Sequence, residues 1–563
     1  MKSIPIQLLI FRSFGKSQTN NIMMRLYNYF LIFTIAGLCT FCTQKNDKQL
    51  YPLGPELKTL SEDLYSQAYK DVVETMIYQD LKEEWKRVAT PDNYVVFREQ
   101  YGGMDKIQKD PQLLAAYEKR VQIAESYIAF METAIKKKNR NPDFNKEEIE
   151  ELMIEELNRS RKMATLEDIL IKPVMPARGA EKQWPCFRGP TGQGIARGKK
   201  LPLSWSQTDN VVWKTRLEGK GNSSPVVWNN QVFITSASED GKIRELFCFD
   251  RKNGKLIWKG QAPVPENIEK LYWKNSYASS TPVTDGERVI VFFGNSGLIC
   301  FDMSGELQWN QNVGLFTTTH GPGTSPVLYK DKVILIQDQN KGESIFMALD
   351  KSDGKILWTQ NRESTMGWSN PIIVKVDDHD ELIYNGSHNV KGYNPDTGEE
   401  IWTLNGSTKE AVPMIVTGGG LLFSSSGRNG AIMAIRPGGK GDITKTHLFW
   451  RNERGGAHVP SPTYYKDRLY MVNDTGIATC LDAFSGKTIW RERLKGRFSM
   501  SPVLVGDKLL VINEAGLSTI IKTGDTFEIV AQNDLEEETL STPAVLDGRI
   551  YFRTATNLYC IGR

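Results

Sequence analysis

Apolar and polar positions alternate along most of this chain in runs of four to seven residues, cut by tight-turn residues. The stretch Ser461 to Trp490, SPTYYKDRLYMVNDTGIATCLDAFSGKTIW, shows the pattern. Ser-Pro opens an apolar run, Lys466-Asp467 turns, and Leu469 to Val472 is β-branched and aromatic. Asp474-Thr475-Gly476 turns again, Ile477 to Leu481 forms a third run, and Ser485-Gly486 leads to a fourth ending at Trp490. Period-two alternation between Gly, Asp and Asn corners predicts a four-stranded antiparallel meander. One such sheet has two open edges and cannot bury both faces, so it must belong to an array.

The array is visible as repetition. The opening element recurs at Ser224-Pro225, Thr281-Pro282, Ser325-Pro326, Asn370-Pro371, Val412-Pro413, Ser461-Pro462, Ser501-Pro502 and Thr542-Pro543. The closing element, a small turn followed by Gly and Trp, recurs at Trp258, Trp309, Trp358, Trp402, Trp450 and Trp490, and 524–530 is a copy without Trp. Openers are spaced about 40 to 57 residues apart, a propeller period. The last opener has no closer after it, and a spare closer, Trp213, precedes the first. A circular arrangement, with the strand at Trp213 completing the blade begun at Thr542, uses every element. The expected fold is an all-β eight-bladed β-propeller over 203–563 with an N-terminal α-helical extension.

Four cysteines, Cys248, Cys300, Cys480 and Cys560, fall at one repeat position, where other blades carry Ala348, Gly392 and Ala434. The position wants a small buried residue, and cysteine serves as a small hydrophobe. Equivalent positions on different blades lie far apart, so disulfides among them are not expected. No CxxC or metal-ligand spacing occurs among the cysteines and the five histidines. The net charge of +3 implies neither a nucleic-acid partner nor an anionic membrane surface.

The first 180 residues are different. An apolar run from Leu26 to Cys42 follows Met23-Met24-Arg25 and precedes a polar tether, so 1–42 reads as a secretory signal. A cysteine at its end suggests lipid attachment at Cys42; cleavage at an ordinary signal-peptidase site and an uncleaved anchor are the alternatives. Residues 50–172 read as a helical hairpin or small bundle. Leu114, Tyr117, Val121, Ala124, Ile128, Met131 and Ile135 form a seam spaced three and four apart, with Asp110-Pro111 as its start. This region serves either as a brace or as an arm that docks a partner. Residues 173–202 are a linker and a loop, WPCFRGPTGQG, that packs on the propeller.

The closers LDAFSGKTIW and LDKSDGKILW resemble the quinoprotein-like (PQQ-like) β-propeller repeat, in the branch that includes the outer-membrane protein assembly lipoprotein BamB. The stretches HGPGTSP (320–326) and IRPGGKGDITKTHLFW (435–450) support it, and the resemblance runs from Trp184 to Arg563. It implies that the repeat tryptophans dock between neighbouring blades and are structural. Burying one such ring contributes about 4–6 kcal/mol as an upper bound. The resemblance also raises a PQQ-dependent dehydrogenase as the alternative function. Such enzymes carry an adjacent cysteine pair over the cofactor, a calcium held by carboxylate and Asn, and a catalytic Asp. This chain has no Cys-Cys pair, so PQQ with calcium is not expected and no cofactor is predicted.

Residues just before each Pro marker converge on one mouth of the ring. Lys274, Asn275, Tyr277, His320, Trp368, Glu410, His458 and Arg497 are therefore the candidate binding residues, with no catalytic set among them. The expected function is a cell-envelope binding or scaffold module. A protein, peptide or glycan partner would sit at the mouth, with membrane contact through the lipid anchor, in outer-membrane protein assembly or envelope polymer handling.

Overall fold

The computed structural model describes Ile107 and residues 171–562 apart from 319, 342 and 363–365. The chain divides into two compact units, 1–165 and 166–563. Cys42, the signal segment and the helical seam lie outside the described residues.

Residues 211–561 form eight four-stranded antiparallel blades. Blade 1 shows the plan: Val226–Trp228 innermost, then Gln231–Ala237, Arg244–Asp250 and Leu256–Gln261 outermost. The innermost strands of blades 2 to 7 begin at Val283, Val327, Ile372, Val416, Thr463 and Val503. Blade 8 takes Ala544–Leu546, Arg549–Arg553 and Asn557–Ile561 from the C-terminus, and its outermost strand, Val211–Arg216, from the other end of the ring. Closure therefore pairs Trp213 with Cys560, and no edge of the ring is left open between its first and last blades.

Two repeated contacts explain the sequence signature. Each closing Trp lies across from the small residue of the preceding strand: Cys248 pairs Trp258, Cys300 pairs Trp309, Ala348 pairs Trp358 and Gly392 pairs Trp402. A bulge falls immediately after the small residue, which gives the ring room. Blade 7 lacks the Trp and inverts the volumes, with Ile520 opposite Ala531. The ring then reaches the next blade's turn. Nε1 of Trp213, Trp258, Trp309 and Trp490 donates to the carbonyls of Arg251, Met303, Lys351 and Gly524 at 3.0–3.1 Å. Gly354, at φ +76°, shows why that turn needs glycine: a Cβ there would sit 2.7 Å from the Trp309 ring.

The opener is a belt. The backbone N–H of each opening residue donates to the opening side chain of the next blade: Ser224 to Thr281 (3.0 Å), Thr281 to Ser325 (2.9 Å) and Ser325 to Asn370 (2.7 Å). It resumes from Met414 to Ser461 (3.0 Å), Ser461 to Ser501 (2.9 Å) and Ser501 to Thr542 (3.1 Å). Blade 5 corrects the expected register. Its strand begins at Val416, two residues after Met414, so Met414 and not Val412 holds the opener position. Methionine offers no side-chain oxygen, and the belt is interrupted between Asn370 and Met414.

The channel is not open. Residues 171–196 thread it as a plug. Ile171–Pro173 adds to the inner strand of blade 4, and Trp184 bridges Val227 of blade 1. Pro185 O accepts from Thr284 N of blade 2, Gln193 Oε1 from Thr417 N of blade 5, and Ile195–Ala196 pairs Leu504–Val505 of blade 7. Arg188, fully buried, donates through Nη2 to Pro462 O (2.6 Å) and Thr463 Oγ1 (3.1 Å) of blade 6. The loop read from sequence as packing on the propeller thus fills its axis.

Candidate functional site

With one end of the axis plugged, the other is a blind cup of about 920 Å³. Phe187 of the plug and the belt residues Ser224, Thr281, Ser325, Ser461, Ser501 and Thr542 line its lower part. The walls come from two sets of loops: the entries to the innermost strands, and the turns between second and third strands. In a four-stranded meander these lie at the same end.

Of the residues expected from sequence, Lys274, Asn275, His320, Trp368, Glu410, His458 and Arg497 all line the cup. Tyr277 does not. Its hydroxyl donates to Glu269 O (3.1 Å) and its ring lies 4.7 Å beneath the Arg244 guanidinium, inside the packing between blades 1 and 2. It belongs to the anchor of the 262–281 loop. There Arg244 and Glu269, both almost fully buried, form a two-pronged pair at 2.9 and 2.8 Å.

From that anchor the loop tip reaches over the mouth. Lys274 Nζ donates to Glu514 Oε1 of blade 7 (2.6 Å) and to Ser499 Oγ (3.2 Å). Ser499 Oγ in turn donates to the same carboxylate oxygen (2.6 Å). Asn275 organises the loop: Nδ2 donates to His320 O (2.6 Å) and Pro322 O (3.1 Å), and Oδ1 accepts from Ser276 N (2.8 Å) and the Ser279 hydroxyl. Its amide is fully used, so it borders the cup without offering a free group. Trp368 Nε1 donates to Gly321 O (2.9 Å). The His320 ring stands edge-on between Trp368 (5.2 Å) and Tyr272 (5.1 Å). Beyond Tyr272, Trp273 is 80% exposed.

On the adjoining wall Arg428 Nε donates to Glu410 Oε2 (2.8 Å), and His458 Nε2 lies 3.7 Å from the same oxygen. Burial pushes the Glu410 carboxyl up, but Arg428, helped by His458 and His320, holds it below the ordinary carboxylate value. Burial pulls the His458 imidazole below its ordinary value and outweighs the opposing charges of Asp474 and Glu410. Asp474 accepts from the backbone N–H groups of His458 (2.6 Å) and Val459 (3.2 Å). Arg497 is exposed and has no ion-pair partner among the described residues.

Sequence reasoning missed Arg428, Asp474, Arg491, Glu514, Tyr272 and Trp273, all of which line the cup. Arg428, Asp474 and Glu514 sit in turns after second strands, and the signal that marks them is a distance of 13 or 14 residues beyond the openers Met414, Ser461 and Ser501. Phe187 carried no such register.

The model of the family described as outer membrane protein assembly factor BamB matches residues 196–272, 245–447 and 386–527, together more than half of the chain. Among curated proteins, tetrathionate hydrolase of Acidithiobacillus ferrooxidans is 22% identical over 281 residues, 47% of this chain and 44% of that protein. 1-Butanol dehydrogenase (quinone) of Thauera butanivorans is 22% identical over 198 residues, 32% of this chain and 29% of that protein. The chain thus spans less than half the length of the curated relatives it matches. Among solved structures, a europium-containing methanol dehydrogenase superposes with a TM-score of 0.50 at 12% identity, covering 66% of this chain and 89% of that one. At that identity the likeness is one of fold.

The dehydrogenase relatives pose the question of a quinone with a metal. Among the described residues no group of three or more His, Cys, Asp or Glu side chains could hold a metal ion. Each carboxylate in the cup already has its partner: Glu410 has Arg428, Glu514 has Lys274, and Asp474 has two backbone amides. The free cysteines Cys248, Cys300, Cys480 and Cys560 are buried opposite tryptophans or the closing strand, inside the blades. The residues present do not fit that cofactor pair.

Proposed function

Because this chain belongs to the outer membrane protein assembly factor BamB family, we propose that it is a non-catalytic binding module of the cell envelope, with the cup as its receptor. The observation that carries this reading is the state of the carboxylates. A carboxylate that acts as catalytic acid, base or metal ligand must be able to reach its target, and Glu410, Glu514 and Asp474 are each neutralised or hydrogen-bonded by a fixed neighbour. The aromatic and cationic groups of the rim, by contrast, face solvent. In this reading Cys42 carries a lipid anchor that holds the protein at the outer membrane, facing the periplasm or the cell surface. The region 50–172 braces the propeller or docks a partner.

Two measurements test the proposal. Titration of the purified protein with PQQ and calcium, followed by absorbance and dye reduction with alcohols and sugars, is expected to give neither stoichiometric binding nor turnover. Stoichiometric quinone with dye reduction would replace the binding module with an oxidoreductase. A photo-crosslinking residue at Ser499, inside the cup, is expected to trap an envelope component that the same residue at Leu256, on the outermost strand of blade 1, does not. Equal trapping at both positions counts against the cup as receptor.

A further inference from the structure

The cup has a surplus of hydrogen-bond donors, and the surplus is directional. Asn429 Oδ1 accepts from Gly455 N (3.0 Å), and Asn473 Oδ1 accepts from Thr475 N (3.1 Å) and Ile477 N (2.9 Å). Those bonds fix both amides, and neither NH2 group has an acceptor among the described residues. Arg491 and Arg497 line the same cavity, and neither has a carboxylate partner among the described residues. All three cup carboxylates, in contrast, are satisfied internally. The complement of this lining is a ligand rich in acceptors and negative charge.

The second observation concerns shape. Trp273 leaves 80% of its surface in water, and its ring lies 5.6 Å from that of Tyr272 at 43% exposure. Large aromatic faces left exposed beside a cavity are binding platforms. The negative face of an indole suits the polarised C–H bonds on one side of a sugar ring.

The third observation disfavours a common alternative. An extended peptide binds by adding its backbone to a sheet edge, and it brings as many donors as acceptors. Here six of the eight opener amides, those of Ser224, Thr281, Ser325, Met414, Ser461 and Ser501, are consumed by the belt, and the plug pairs with the inner strands of blades 1, 4 and 7. That leaves little of the cup floor for an added strand.

We propose that the cup binds an acidic oligosaccharide, with Trp273 stacking on a sugar ring and Arg491 and Arg497 receiving its carboxylates. This rests on the reading of the cup as a receptor, and it names the class of ligand. The test is calorimetric titration of the full chain with hexasaccharide fragments of galacturonan, mannuronan and hyaluronan, beside their carboxyl-esterified forms and hexaglutamate. At least one acidic hexasaccharide is expected to bind one to one, with its ester at least tenfold weaker and hexaglutamate without measurable binding. Trp273→Ala and the double variant Arg491→Ala/Arg497→Ala should each weaken that binding at least tenfold while the melting temperature stays unchanged. Binding of none of the three acids overturns the proposal, as does hexaglutamate binding as tightly as the sugar, or full affinity in Trp273→Ala. Selective crosslinking from Ser499 in a protein that binds no acidic sugar would leave the receptor reading standing and remove only the ligand class.

Discussion

Lys274 and Glu514 stand 240 positions apart in the chain and 2.6 Å apart in space, and their contact ties the loop between blades 1 and 2 to blade 7. It is the one ion pair that crosses the mouth among the described residues. Both side chains remain partly exposed, so its contribution to stability is small, about 0–1 kcal/mol. Its effect should be local. Glu514→Gln is expected to leave the melting temperature within about 2 °C of the parent and to speed amide exchange at 272–275, measured by hydrogen–deuterium exchange. Unchanged exchange would show that the Arg244–Glu269 anchor alone holds the loop.

The belt makes a sharper claim. Ser461 Oγ is the acceptor for the buried N–H of Met414, and Ser461 N donates to Ser501. Ser461→Ala leaves that N–H without an acceptor and should cost about 1–3 kcal/mol in urea unfolding. Ser461→Thr, which keeps the oxygen, should cost less than half as much. Equal losses would mean that volume rather than the hydrogen bond matters at that position.

Gly354 tests the tryptophan docking. Alanine there meets the Trp309 ring at 2.7 Å and must hold φ at +76°. Gly354→Ala is expected to destabilise by about 2–4 kcal/mol, combining strain with overpacking. Gly420, also at positive φ but with open space around it, should lose only about 1 kcal/mol on the same change.

Glu537 links ring closure to pH. It accepts from Lys214 on the closing strand (3.0 Å) and from Thr554, Asn557 and Tyr559 of blade 8. Burial works to raise its carboxyl, but these donors bring it down to about 2 from an ordinary value of 4.5. A depressed carboxylate stabilises the fold fully above the unfolded value. That stability drains away as pH falls from about 4.5 towards about 2, as the carboxylate protonates. With water screening the site, the contribution is about 1 kcal/mol. Glu537→Gln should lower stability at pH 7 by that amount and flatten the slope of melting temperature against pH below 4.5. An unchanged slope would place the acid sensitivity elsewhere.

The ring was legible because its signals recur. Ser/Thr-Pro, present in six blades, and Gly-x-x-x-Trp, present in five, are demanded by the belt and by the interblade ring contact, and the spare Trp213 revealed the closure. Blade 5 misled because the belt's donor is a backbone N–H, indifferent to side chain, so Met414 could take the place of serine while Val412-Pro413 imitated the pattern. Distance from a Pro marker gives height on the ring but not direction. Lys274 and Tyr277 lie three residues apart, yet one reaches the mouth and the other turns under Arg244. The plug carried no period at all, since its bonds are made by backbone atoms and by three long side chains, Gln183, Arg188 and Gln193.

That plug alters how the blades depend on one another. In a repeat array each unit feels only its neighbours, and stability is a sum of local terms. Here one segment of about two dozen residues touches blades 1, 2, 4, 5, 6 and 7. It acts as a hub with six spokes, so a disturbance in blade 4 is felt in blade 7 without passing through blades 5 and 6. The hub is synthesised before any blade, and its farthest partner, Leu504, emerges about three hundred residues later. The first piece of the propeller to leave the ribosome therefore cannot complete its contacts until blade 7 has been made.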